Sequence, residues 1–234
     1  MKFPLSAVLL ACSATALQAG AAINFHEETL RYNINWPTGL SLGEATTKAV
    51  KLKSGGPEGD RWKLDFELDA AVPAFQVTDR ISSLSNEAFC SVAFQKDSTH
   101  GKKVVKEKTE VDPAIGVAER VTENGGKSSI PVAACVHDGL SFLFFLRNEL
   151  AQGRIPPPQT VLFGAAYQLR LEYGGAKSVP IGGVATPADR MLATLKGPAS
   201  ETAFEIFFGR DAKRTPLLVR VPLVMGSFSM ELVP

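Results

Sequence analysis

The chain has 234 residues, 45% hydrophobic and 21% charged, a length for one large domain or two small ones and a composition that leaves no room for extensive disorder. Its 25 Lys and Arg balance 24 Asp and Glu to a net charge of +1, spread along the chain, which excludes the electrostatic footprint of a nucleic-acid binder.

Residues 1–21 read as a signal peptide. Lys2 supplies a minimal positive start, Leu5–Ala16 a mostly apolar stretch, and Ala19, Gly20, Ala21 and Ala22 a run of small residues, so cleavage is expected near Ala19 to Ala22. Leu9-Leu10-Ala11-Cys12 resembles a bacterial lipobox, but the apolar run before Cys12 is short, and lipidation is not the expectation. No later segment reaches the roughly eighteen consecutive apolar residues of a membrane-spanning helix, so the mature chain is expected to have no transmembrane span. The expectation is an exported protein of the periplasm or outer envelope, with 22–234 as a single β-rich domain. Removal of Cys12 leaves Cys90 and Cys135, an even pair in an oxidising compartment and hence a disulfide candidate, with two buried thiols as the alternative.

Glu28–Trp36 alternates cleanly, with Leu30, Tyr32, Ile34 and Trp36 on one face. Pro37-Thr38-Gly39 makes a turn and Leu40–Lys53 the returning strand, in which Gly43 marks a bulge or a close backbone approach. Ser54–Asp60 is a loop, and Arg61–Asp69 alternates again through Trp62, Leu64, Phe66 and Leu68. Val72–Asn86 is less regular, and Pro73 argues against a central strand there. Ala88–Phe94 predicts a strand, followed by a turn at Asp97–Gly101 and a solvated strand face carrying Lys102, Lys103, Lys106 and Lys108. Val117–Glu123 and Ser128–Val136 are two more strands, split by the turn signal Asn124-Gly125-Gly126.

Asp138–Gly153 is the single long helical pattern. Leu143, Leu146 and Leu150 share one face, with Phe142 at its margin, while Phe144 and Phe145 flank a narrow polar strip of Ser141, Asn148 and Gln152. Asp138 is placed to cap the start, Gly153 to end it, and Pro156, Pro157 and Pro158 to forbid continuation. Such a helix, apolar nearly all round in its first half, is expected to be buried on more than one side. Beyond it lie Thr160–Phe163, Tyr167–Tyr173, a Gly174-Gly175 turn, Ser178–Val184, Arg190–Leu195, the hairpin Thr202–Phe208 with Leu217–Leu223, and a closing strand Gly226–Val233. About eleven to thirteen strands and one helix predict a mainly β fold, a large curved antiparallel sheet or partial β-barrel with one central α-helix packed against it.

Most motifs that carry chemistry are missing from the sequence. Gly139-Leu140-Ser141-Phe142-Leu143 lacks the final glycine of a nucleophile elbow, and phosphate-loop, dinucleotide and zinc-protease motifs are absent. Cys135-Val136-His137-Asp138 contains metal-capable types without the clustered spacing of a zinc site. No catalytic residue, metal or cofactor is expected. Trp36, Trp62, Phe144, Phe145 and Arg147 are the candidates for lining a ligand cavity, with packed core as the alternative for the aromatics and a buried ion pair or a rim position for Arg147. Asp211 and Arg214 are expected to stabilise their hairpin turn and little else.

Three stretches together carry a family resemblance. They are Tyr32-Asn33-Ile34-Asn35-Trp36 with Gly39 and Gly43; Val136–Ser141 running on to Leu146-Arg147; and Phe204-Glu205-Ile206 with Asp211, Arg214 and Pro216, ending at Gly226 and Glu231-Leu232. In this order the chain resembles the exported bacterial proteins grouped as domain of unknown function 3108, over roughly Glu28 to Leu232. The resemblance implies a signal peptide and a β-rich exported domain, and it supplies no activity or catalytic residues. The apolar strand faces exceed what one short helix can cover, so the expected function is a periplasmic, non-catalytic binding or carrier protein for a hydrophobic cell-envelope component such as a lipid. The alternatives are a structural or assembly factor holding an envelope protein, and a hydrolase of envelope polymers.

Overall fold

The computed structural model describes residues 21–54, 56, 59–72, 75–223 and 226–234. The expected signal peptide up to Gly20, with Cys12, lies outside the described residues, as does Pro73.

Alternating segments build the strands in chain order. β1 (Glu28–Asn35), β2 (Ser41–Leu52), β3 (Arg61–Val72), β4 (Phe75–Asn86), β5 (Ser91–His100), β6 (Lys103–Asp112), β7 (Val117–Thr122) and β8 (Lys127–Pro131) form an antiparallel meander. The two-residue β9 (His137–Asp138) runs into α1 (Gly139–Ala151). Then β10 (Gln159–Leu162), β11 (Ala166–Ile181), β12 (Val184–Lys196), β13 (Glu201–Gly209), β14 (Pro216–Leu223) and β15 (Gly226–Leu232) follow. β15 pairs with β1, so the fifteen strands make one sheet, antiparallel except at the parallel β9–β10 pair that α1 connects.

The sheet curls until its two ends overlap. Ser91 N–H donates to the Val136 carbonyl at 2.8 Å, and Cys90 is disulfide-bonded to Cys135, which together join the start of β5 to the approach to β9. On β10, Val161 faces α1 while Leu162 packs outward against Ala118 of β7, with Val111 and Ile130 beside it. Strands β6–β8 therefore lap over the outer face of β10. The helix fills part of the space inside: Phe142 and Leu146 pack with Val161, Leu169, Met191, Ile206 and Phe208, and Phe144 packs on the opposite side with Ala49, Trp62, Leu64 and Phe89. Burial on two sides is what its nearly all-round apolar character predicts.

Several boundaries differ from the sequence reading, and the described residues form fifteen strands where eleven to thirteen are expected. Residues 75–86 are a regular strand paired along its length with β3; the inward positions Ser83 and Ser85 are buried serines, which hides the alternation. β5 continues to His100 for the same reason, with buried Ser98 on its inner face. Gly174-Gly175 is an irregularity inside the sixteen-residue β11, and the chain reverses instead at Gly182-Gly183. The strand expected to reach Val136 stops at Pro131. Gly43 fulfils its expectation: a Cβ there would lie 2.0 Å from the Asp69 carbonyl oxygen on β3, and the β1–β2 register shifts beside it.

Candidate functional site: an apolar cavity between helix and sheet

The position of α1 is set by polar groups at both ends. Asp138 is its N-cap: one carboxylate oxygen accepts from Leu140 N–H at 2.9 Å and Ser141 N–H at 3.0 Å. The other accepts from the hydroxyls of Ser83 on β4, at 2.5 Å, and Ser91 on β5. A fully buried carboxylate is thereby satisfied four times over, and the helix start is fixed to the far wall of the curl. Next to it His137 donates through Nδ1–H to the Phe89 carbonyl, 2.8 Å away, and stacks on Phe145 with ring centroids 4.4 Å apart. At the other end Gly153 takes φ +73 and closes the helix.

Arg147 lies on the buried side, 1% exposed, and forms a two-pronged ion pair with Glu28 of β1. Its Nε donates to the Lys213 carbonyl at 3.0 Å, and its guanidinium sits 5.1 Å from the Phe25 ring and 4.9 Å from Phe144. Residues before β1 thus strap the helix, and Ile23 N–H adds a bond of 2.9 Å to Asn148 Oδ1 on the polar strip.

Beside the helix the interior is hollow. A cavity of about 330 Å³ lies between Gly139, Phe142, Leu143 and Leu146 of α1 and the inner face of the sheet. The sheet contributes Tyr32, Thr47, Val161, Leu169, Leu171, Ala193, Leu195, Phe204, Ile206, Pro216, Val219 and Met230, and Phe163 closes one side. Apart from the Tyr32 and Thr47 hydroxyls every lining side chain is apolar. The Tyr32 hydroxyl donates to the Pro216 carbonyl at 3.1 Å, and burial pushes its pKa well above the ordinary tyrosine range, so it stays a neutral donor.

None of the five residues expected to line a cavity is among those that line this one. Trp36 stacks edge-on against Phe228 at 4.8 Å, Trp62 and Phe144 both pack with Phe89, Phe145 stacks on His137, and Arg147 is spent on Glu28. Trp62, Phe144 and Phe145 pack on the Phe89 side of the helix; the hollow side is walled by Leu, Ile and Val together with Tyr32, Phe142, Phe163 and Phe204, and Ala193 sits between Leu171 and Phe204 in the sheet. Its sequence signal was the alternation of Leu169/Leu171, Ala193/Leu195 and Phe204/Ile206, which marks an inward face without saying whether the helix reaches it. Asp211 does hold its hairpin turn, accepting from the Lys213 and Thr215 amides, but Arg214 reaches across to Asp189 of β12 at 2.8 Å. There, with Arg210, it walls a polar cleft at the C-terminal end of the helix. Among the described residues no group of three or more metal-ligating side chains converges, and no helix is long and apolar enough to cross a membrane.

A curled, mostly antiparallel sheet around one buried helix, with an apolar hollow between them, defines a β-barrel-like protein. The fold is similar to the crystal structure of a beta-barrel-like protein of domain of unknown function DUF1849 from Brucella abortus. The two match with a TM-score of 0.62 over 88% of this chain and 95% of that one, at 8% identity, a level that speaks to fold alone. Residues 31–233 match the family described as Protein of unknown function (DUF3108), and the chain belongs to that family. No curated protein matches it.

Proposed function

We propose that the protein is an exported, non-catalytic binding or carrier protein for a hydrophobic component of the cell envelope. One observation carries the reading: the cavity of about 330 Å³ whose walls are apolar but for two hydroxyls. That volume is at the small end of ligand pockets, roughly 300–1,000 Å³, and an apolar hollow of this size gains nothing for packing. Export is supported by the signal-like residues 1–21 and by the Cys90–Cys135 pair, since disulfides persist in oxidising compartments.

The test is native mass spectrometry of gently extracted protein, together with titration of N-phenylnaphthylamine, whose fluorescence rises in apolar surroundings. A retained lipid-like adduct and saturable probe binding are expected, both weakened in Ala193→Leu, which fills part of the hollow while remaining folded by its denaturation midpoint. Wild-type protein that holds no adduct and binds no probe would overturn the reading. Fractionation should recover a shortened chain from the envelope; a full-length chain in the cytoplasm would remove the exported half of the proposal.

A further inference from the structure

The structure points to the chemistry of the ligand: we propose that the cavity takes a single-chain anionic amphiphile, its chain against α1 and its acid group at Lys96. This rests on the carrier reading above and makes it more specific. Lys96 is on β5, whose inner face carries buried Phe94 and Ser98 on either side of it, and its cross-strand partner on β4 is buried Ile81. A lysine in that alternation points into the curl, and Lys96 is half-buried rather than exposed. Its ammonium lies 4.4 Å from the ring centroid of Phe163, a wall of the cavity.

Inward-facing arginines are each neutralised. Arg147 holds Glu28, and Arg120 on β7 holds Glu107. Lys96 differs. Among the described residues no carboxylate lies within ion-pairing distance of it, and its cross-strand neighbour Glu107 is already taken by Arg120. A second polar group waits on the same face: the Ser98 hydroxyl, 4% exposed as a residue, has no hydrogen-bond partner. Around Tyr32 in the cavity wall no net charge competes, since its hydroxyl is bonded to Pro216 and the nearby Arg147 and Glu28 cancel. An anion beside Lys96 and Ser98 would supply the missing acceptor for both. At roughly 30 Å³ for each water-sized group, the cavity holds about eleven methylenes, one chain and not two.

The experiment measures displacement of N-phenylnaphthylamine from the full mature chain by dodecanoate, dodecyl phosphate, dodecanol and dodecyltrimethylammonium. At least one anion should bind about ten-fold tighter than dodecanol, as a charge-assisted hydrogen bond allows, and the cation should bind weakest. Which of the two anions is preferred separates a carboxylate from a phosphate source. In Lys96→Gln the anion's advantage should disappear with dodecanol unaffected, while Lys96→Arg keeps it. Equal binding of anions and dodecanol by the wild type, or an advantage that survives in Lys96→Gln, would overturn the assignment and leave the apolar-cavity reading standing. Failure of all four ligands and of the probe would remove both.

Discussion

At the scale of single residues, the charge on Arg147 is where the interior is most exposed to damage. Its guanidinium is out of water, and Glu28, 10% exposed, is its only anionic partner among the described residues. Removing one member of a buried pair leaves the other charge uncompensated, at about 3–5 kcal/mol. Glu28→Gln should lose about that much in urea denaturation, and Glu28→Leu with Arg147→Met should recover most of it; a single variant within 1 kcal/mol of wild type, roughly the value of an exposed pair, would show that water reaches the site. His137 gives a pH dependence. Burial lowers its pKa below the ordinary 6.5, against smaller raising effects of the Phe89 carbonyl and the Asp138 charge. The unfolded chain then binds its proton at higher pH than the folded one does. The contribution to stability is fully present above about pH 6.5 and is lost as pH falls through the depressed folded value. Denaturation midpoints taken from about pH 8 to about pH 5 should fall in the lower half of that range, and fall less in His137→Phe; parallel curves for the two proteins would assign the loss to other groups.

At the scale of elements, two glycines do different work and should answer to alanine differently. At Gly153, which ends α1 at φ +73 with open space around it, alanine meets only the cost of a left-handed backbone, about 1 kcal/mol. At Gly43 the new methyl would collide with the Asp69 carbonyl, which is backbone and cannot turn aside, so a loss of about 3 kcal/mol is expected in the same denaturation experiment. Reversal of that order would mean β2 and β3 can separate cheaply. The helix was legible because everything that defines it is local: the spacing of Leu143, Leu146 and Leu150, Asp138 at its start, Gly153 and three prolines at its end. β4 and the end of β5 were not, because their inward positions are serines. Ser83 and Ser91 face inward in order to bind Asp138, a partner about fifty residues away that no period-two pattern reveals. Gly174-Gly175 misled for another reason: the left-handed backbone that a turn needs is also what an irregularity inside a long strand uses.

At the scale of the whole molecule, closure of the curl depends on a cross-link between distant parts of the chain. Cys90 and Cys135 are separated by 45 residues, and a loop of that length makes the disulfide worth about 4 kcal/mol on the chain-entropy model. Reduction should lower the denaturation midpoint accordingly and weaken probe binding, since the bond holds β5, and Lys96 with it, against the approach to the helix; unchanged binding after reduction would show that the cavity does not depend on closure. The cavity itself could not be read from the sequence. Its existence rests on the gap between α1 and the β10–β15 wall and on the small side chain of Ala193, while Trp62, Phe144 and Phe145 pack against Phe89 or His137 and Trp36 against Phe228. One property of the sheet bears on how the protein is made. β1 is the first strand and its neighbour β15 the last, so synthesis delivers the two partners of one ladder at opposite ends of the process. From the completion of residue 35 to the arrival of residue 226, roughly 10–40 s at about 5–20 residues per second, β1 has a free edge that any other strand can occupy. The risk of aberrant association is therefore greatest before the last strand is delivered, by synthesis or by export, and the rate of that delivery sets how long it lasts.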